Sequence, residues 1–381
     1  MDDINRRRLI RHDGHGLDST WSDRPHDPEW DDFVFSLPDG HHEQTSRWGQ
    51  VRARYGWKIA RFTLKDNGKT VAGCQVQLRT VGRFGKAAYI TYGPCVGCRE
   101  ERLTKVCVEE LKEFLGSTGV TFSIVGLPYE GDDMIRPLEK NGFFRKPARL
   151  HPRFMEATLV IDLTKQPEEI LADMRPSTRN NVRRALKKGI SVVEGSAEDI
   201  ETFRQLMLTL CKRRGTSPNP PQPDFFHYLW KHFSEVGWIK IFKAMHGHET
   251  VAAALAIPFR NWFRVWKVGW SGQYGNLKPN EAMEWEMIQY ARRSGHHHFD
   301  LVELDPTQIR EMLSRAGSEP MPQNTNSYKL GFGGKIKMLP GAYCYFPNPL
   351  VRTAMRLGLF KLLDSSLAVK FTQMYDKTVY T

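Results

Sequence analysis

The feature that most narrows the folds open to this chain is that it contains a version of itself. The stretch "YGWKIARFTLKDNGKTVAGCQVQLRTVGRFGKAAYITYGP" aligns with "VGWIKIFKAMHGHETVAAALAIPFRNWFRVWKVGWSG". Gly56-Trp57 matches Gly237-Trp238, and Thr70-Val71-Ala72 matches Thr250-Val251-Ala252. Each copy reads strand, turn at Asn67-Gly68 or His246-Gly247, strand, short turn, strand. A helix follows each time. In the first copy Leu103, Val106, Leu111 and Leu115 recur at helical spacing. In the second, Pro279 opens the helix, Met283, Met287 and Tyr290 face inward, and Gly295 stops it. Each helix leads to another strand, "VTFSIVGLP" or "HHFDLVELD". The unit is therefore βββαβ, repeated at an offset of about 180 residues. That offset is too long for a solenoid and implies a duplicated mixed α/β domain. The expected division is a tail over 1–27, a first domain over 28–152, a second over 153–348 and an amphipathic helical segment over 349–381. In that last segment Leu350, Met355, Leu359 and Leu362 form an apolar stripe, read as a docked helix rather than a membrane anchor.

Between the copies lies "DMRPSTRNNVRRALKKGISVVEG", with six positive charges from Arg175 to Lys188 and no acid among them. Pro176 bars a preceding helix from running through, Ser177 is the expected cap, and Gly189 the expected stop. Arg179, Arg183 and Lys187 fall four apart on one face, with Arg184 and Lys188 beside them. Like charges at that spacing repel by a few tenths of a kcal/mol per pair. A solvated face tolerates this, and a polyanion such as a run of phosphates relieves it. The net charge of +12 favours an anionic partner without choosing among a nucleotide, RNA and an anionic membrane surface. At 40% hydrophobic and 26% charged residues the composition suits a soluble globular protein. The opening "MDDINRRRLIRHDGHG" lacks the apolar core of a secretory signal, and no apolar run is long enough to span a bilayer. A cytoplasmic protein is the expectation, with peripheral contact at the inner membrane face as an extension of it.

The two βββαβ copies, the helix pattern Ser-x-Arg-x-Asn-x-Arg-Arg-Ala and the late "YKLGFGG" together resemble the FemABX family. The order of "QTSRWGQVRARYGW", "YGP", "LVIDLT", the basic helix, "FDL" and "YKLGFGG" carries the resemblance over about residues 28 to 348. It implies an α/β chain of α+β type, made of two GNAT-like acyltransferase domains, each a mixed sheet flanked by helices. It implies an aminoacyltransferase that moves an amino acid from aminoacyl-tRNA to an amine of a peptidoglycan-precursor-like acceptor, nucleotide- or lipid-linked, with no cofactor. The chain departs from the family in lacking a coiled-coil arm, and in placing Leu127 where a relative has an acid. Nothing in "GTSPNPPQPDFF" matches a family arginine that reaches the sugar nucleotide.

On the resemblance, Lys329 takes the role of the cation that steadies the oxyanion formed when an amine attacks the aminoacyl ester. The alternative for Lys329 is a place on a strand edge. Asp305 and Glu303 end the strand "FDLVELD", where ligands collect in open α/β sheets, and Asp305 is the candidate base. Its position before Pro306 also suits a turn. Glu281 lies in the first turn of the helix opened by Pro279, where a carboxylate is favoured in any case. Arg52 aligns with a family residue that meets the acceptor diphosphate. Trp48 and Tyr55 flank it, Trp48 suiting core packing. Lys267, on an apolar strand, Phe225 and Tyr328 complete the binding candidates. Arg179, Arg183, Arg184 and Lys187 are the candidates for tRNA phosphates. Cys95-x-x-Cys98 has no second pair at zinc-ribbon spacing, and His296, His297 and His298 alternate faces in a strand, so no metal is expected. Two other readings stay open. One is an acyl-CoA or acyl-carrier N-acyltransferase, although "QYGNLKPNEA" lacks the closely spaced glycines of a pyrophosphate loop. The other is a non-catalytic RNA- or membrane-surface-binding module.

Overall fold

The computed structural model describes residues 5–12, 15–81, 85–147, 154–314 and 324–359. The chain divides into two compact units, Met1–Phe154 with Leu339–Thr381, and Met155–Met338. Each contains the βββαβ order read from the repeat. In the first unit the strands are Lys58–Asp66, Lys69–Thr80 and Lys86–Ile90, the helix Glu101–Ser117 and the last strand Val120–Gly126. In the second they are Lys240–His246, Glu249–Phe259 and Trp262–Trp270, then the helix Pro279–Arg293 and the strand His298–Asp300. The three leading strands pair antiparallel, and the crossover through the helix makes the last pairing parallel in both units. At the first hairpin Asn67 and Gly68 have φ of 48° and 80°, as a tight primed turn requires.

The first unit differs from the expected division at both ends. Residues read as a tail form the strands Arg6–His12 and His15–Ser22, which extend the sheet beyond Lys58–Asp66. Ala342–Tyr345, expected in the second domain, inserts between Val120–Gly126 and Phe144–Arg145 in the first unit's sheet. All four of its residues are buried, so it satisfies a core position that local sequence does not reveal. Beyond it, the helix Pro349–Ala354 leaves Leu350 80% exposed, while Met355, next in the expected stripe, is half-buried. Leu362 and the rest of 360–381 lie outside the described residues. No helix among the described residues is long and apolar enough to cross a membrane.

In the second unit the sheet runs Ile190–Glu194, Lys240–His246, Glu249–Phe259, Trp262–Trp270, His298–Asp300, Ala157–Asp162, Lys335–Met338. A bulge breaks the ladder between the third and fourth of these, where Leu255 pairs with Lys267 and Ala256 with Val265, leaving Trp266 as the extra residue. Side chains packed on the core accordingly switch from Phe263 and Val265 to Val268 and Trp270.

The basic helix spans Pro176–Lys187 and buries Thr178, Val182 and Ala185. Its cap differs from the expectation. Pro176 takes the first helical position with Arg175 as N-cap, because proline's fixed φ suits that place, and Ser177 falls inside the first turn. Gly189 follows the helix at φ 82°, as expected of a stop. Against this helix packs the glycine turn of "YKLGFGG". A Cβ on Gly331 would stand 2.5 Å from Thr178 Oγ1, and one on Gly334, at φ 85°, 2.6 Å from the Val160 carbonyl oxygen. Gly334→Ala combines a left-handed φ with a clash against main chain, so it should destabilise the second unit by about 2 kcal/mol or more. Gly68→Ala, also at positive φ but in open space, should cost about half that or less. Urea unfolding of both variants checks the difference.

Candidate functional site

Several elements of the second unit surround a cavity of roughly 530 Å3. The bulged strand Trp262–Trp270 contributes Trp266, Lys267 and Trp270, and the helix Pro279–Arg293 contributes Asn280 and Glu284, one turn apart on one face. Leu301, Val302 and Glu303, after the strand His298–Asp300, form a third wall. Thr325, Tyr328 and Lys329, on the short helix Thr325–Leu330, form a fourth. The helix Ile200–Arg214 adds Met207, Leu210, Cys211 and Arg214 to the lining, and the proline-rich loop adds Ser217 and Asn219.

A six-residue helix has no stability of its own. This one is placed by side chains. Asn324 caps it by accepting from the Ser327 N–H at 3.0 Å, and Asn324 and Asn326 both donate to Gln308 Oε1. Asn326 also accepts the Asp305 N–H. Lys329 is therefore on a helix rather than a strand edge. Its Nζ donates to the main-chain oxygens of Val302 at 2.9 Å and Glu303 at 2.7 Å. Those two residues have φ of 44° and 21°, a strained region for a β-branched valine. Asp300, wholly buried, accepts the Val302 N–H at 2.8 Å, and itself faces Arg264 at 3.7 Å. Lysine and aspartate thus grip the turn from its carbonyl and amide sides.

Burial lowers the Lys329 pKa from its ordinary value, opposed by Glu303, Glu284 and Asp300. Two carbonyls occupy two of the three ammonium protons, leaving one for a ligand. Tyr328 is pushed well above its usual value by burial and by Glu284 and Glu281, so the phenol is neutral. Glu284, 4% exposed, is raised to about 8 by burial, with Lys329 pulling it down and Glu281 pushing it up.

Of the residues picked out by sequence, Lys329, Tyr328, Lys267 and Glu303 line this cavity. Asp305 does not. Its carboxylate accepts the N–H groups of Thr307 and Gln308 and starts the helix Pro306–Ser314, the structural use of an Asp before Pro. Glu281 accepts from Asn181 of the basic helix at 3.0 Å, joining two helices. Phe225 is buried against Phe226 and Trp266, behind the lining. Arg52, Trp48 and Tyr55 belong to the first unit. Arg52 donates to Gln77 Oε1 at 2.9 Å with its guanidinium over Trp57, Trp48 is core, and Tyr55 is half-buried just beyond the helix Ser46–Ala53. On the basic helix Arg179 donates to the Leu171 and Ala172 carbonyls and is internally engaged. Arg183, Arg184 and Lys187 are exposed, with no ion pair among the described residues. Glu284, Asn280 and Trp266 escaped the sequence reading. The available signal was an acid on the apolar face that also carries Met283, Met287 and Ile288.

A FemAB family model matches residues 26–131, and an acetyltransferase (GNAT) domain model matches residues 176–307. Together these models and the duplicated βββαβ fold define a tandem GNAT-type chain. It is similar to the FemABX family over its first half and to GNAT acetyltransferases over its second. Lipid II:glycine glycyltransferase of Staphylococcus aureus (strain COL) is 26% identical over 199 residues, 49% of this chain and 46% of that protein. The chain thus matches about half the length of such relatives. The crystal structure of FemX superposes with a TM-score of 0.73 at 18% identity, covering 86% of this chain and 97% of the other. The structure of L-PGS from Bacillus licheniformis gives 0.53 at 15%, covering 87% and 96%.

The raised Glu284 pKa carries a stability consequence. Between the ordinary 4.5 and about 8 the unfolded chain ionises this carboxyl while the folded chain does not, so stability falls as pH rises across that window. Glu284→Gln removes the titration. Its melting temperature relative to the natural chain should therefore rise steadily over the same window, and parallel scans in a pH series measure it.

Proposed function

We propose that the chain is an aminoacyltransferase, moving an amino acid from aminoacyl-tRNA to the amine of a peptidoglycan-precursor-like acceptor and forming an amide. The observation that carries the reading is Lys329, anchored by two carbonyls with one proton left to face the cavity of the second unit. The relatives named as glycyltransferases acting on lipid II support the transfer class and a lipid-linked acceptor. The ester donor is already high in energy, so positioning and stabilisation of the oxyanion suffice for the acceleration. The amine attacks the ester carbonyl carbon, and charge develops on the carbonyl oxygen beside the Lys329 ammonium. Collapse breaks the bond to the ribose oxygen, which leaves as a hydroxyl carrying the proton that the attacking nitrogen gives up, and the amide remains. The exposed charges of Arg183, Arg184 and Lys187 suit the phosphates of the tRNA acceptor stem.

Transfer of a radiolabelled amino acid from charged tRNA to a lipid-linked or nucleotide-linked peptide should require the intact tRNA. Transfer that survives RNase treatment overturns the donor assignment, and dependence on acetyl-CoA instead makes the chain an N-acetyltransferase. Lys329→Met should lower the rate at saturating donor by on the order of a hundredfold while donor affinity changes little. An unchanged maximal rate removes Lys329 from the chemistry. Replacing Arg183, Arg184 and Lys187 together by Gln should spare the maximal rate. It should weaken donor binding and reduce its log–log salt slope by about one unit for each phosphate that a side chain no longer neutralises.

A further inference from the structure

The cavity contains more hydrogen-bonding capacity than the oxyanion role of Lys329 uses. Glu284 Oε2, Asn280 Oδ1 and the Tyr328 hydroxyl are buried and have no partner among the described residues. All three residues line the cavity. No ion pair links Glu284 to Lys329, whose amino group is engaged by the Val302 and Glu303 carbonyls. An unpaired buried carboxyl is costly, and so are buried oxygens left without donors. The fold does not require the acid. Counted back from the glycines that end the two equivalent helices, Gly119 and Gly295, Glu284 occupies the slot that Val108 fills in the first unit, where Val108 packs wholly inside the core.

The unfilled groups specify their complement. Glu284 Oε2 and Asn280 Oδ1 accept, and the phenol accepts as well as donates. A phosphate or carboxylate supplies no donor to these oxygens and would further oppose ionisation of the acid. A primary ammonium offers three N–H donors on one compact charge. We propose that Glu284, Asn280 and Tyr328 form a binding site for a primary ammonium group in the floor of the cavity. Such a cation stabilises the ionised form of Glu284, which burial otherwise disfavours.

Two substrates of the proposed reaction carry this group, the amino acid being transferred and the amine that attacks it. Assignment to the transferred amino acid rests on the function proposed above. Its α-ammonium lies two bonds from the carbonyl carbon that Lys329 serves and keeps its proton throughout. The attacking amine must lose a proton to react. The ammonium site itself does not depend on that assignment.

The test is a ligand-observed NMR titration of the full chain with three probes. Glycinamide presents an α-ammonium beside a carbonyl, N-acetylglycinamide is the same molecule without the charge, and Nα-acetyl-lysinamide presents an acceptor-type side-chain amine. Glycinamide should bind and its acetylated form should not, and Glu284→Gln should raise the glycinamide Kd roughly tenfold to a hundredfold. Tyr328→Phe, which removes only the hydroxyl, should raise it less. If Nα-acetyl-lysinamide alone shows the Glu284 dependence, the ammonium site stands and its occupant is the acceptor. The proposal is overturned if the acetylated amide binds as well as glycinamide, if neither amine binds, or if both variants, shown folded by melting, leave the Kd unchanged. None of these titrations contains tRNA. RNase-resistant transfer would therefore remove the donor and leave the ammonium site, and equal binding of the acetylated amide would do the reverse.

Discussion

The second unit's cavity depends on one contact, the Lys329 amino group donating to two successive carbonyls at Val302 and Glu303. Both residues occupy backbone conformations that cost free energy, of order 1–3 kcal/mol each where the strain is full. A turn of that kind persists only if its surroundings over-determine it. Lysine grips the carbonyl side, and Asp300 takes the Val302 amide from the other. Asp300 is in turn fixed by Thr158 Oγ1 and Arg264, both buried. In the function proposed above, the lysine that serves the developing negative charge is thus also the clamp that shapes the cavity wall. Its position is set before any substrate arrives, which is the condition under which an electrostatic group is most effective.

The "YKLGFGG" motif makes sense as the device that delivers this lysine. Its helix is one and a half turns long and cannot fold by itself. Asparagines at 324 and 326 latch it to Gln308 on one side. On the other, Gly331, Gly333 and Gly334 admit the chain so close to Thr178, Asp173 and Val160 that a single methyl group would collide. The Arg175 amide donates to the Gly331 carbonyl at 2.9 Å, so the start of the basic helix is tied to the same turn. Motif and basic helix lie about 150 residues apart in the sequence and are packed on one another.

What the sequence disclosed follows the range of the forces involved. The duplication was readable because hairpin turns, apolar alternation and helix stops are local signals, and two copies reinforce one another. Lys329 and Tyr328 were readable through a motif. Ser177 was misplaced as a cap because proline's preference for the first helical position outweighs the hydroxyl's for the cap. Asp305 and Glu281 were plausible acids by position, but a helix start and Asn181 take up their oxygens. The return of Ala342–Tyr345 to the first unit's sheet was invisible, since strand pairing between residues some two hundred positions apart leaves no local trace. Glu284 was hidden by its neighbours. Among Glu281, Glu284 and Glu286 of one helix the sequence does not single out an acid, and only the packed structure shows Glu284 facing inward.

The charges of the second unit fall into two populations that water separates. Arg183, Arg184 and Lys187 are exposed, so at physiological ionic strength their fields fade over about 8 Å. They act on a polyanion by displacing its counterions, a contribution that salt removes. Glu284 is enclosed, and salt screens it far less. In the function proposed above, the two populations would read different parts of one donor. The exposed cations would supply attraction that is strong, unspecific and weakened by salt. The enclosed groups would supply discrimination by charge and hydrogen-bond count, largely independent of salt. Separating the tasks lets the helix keep its mutual repulsion, since binding relieves it.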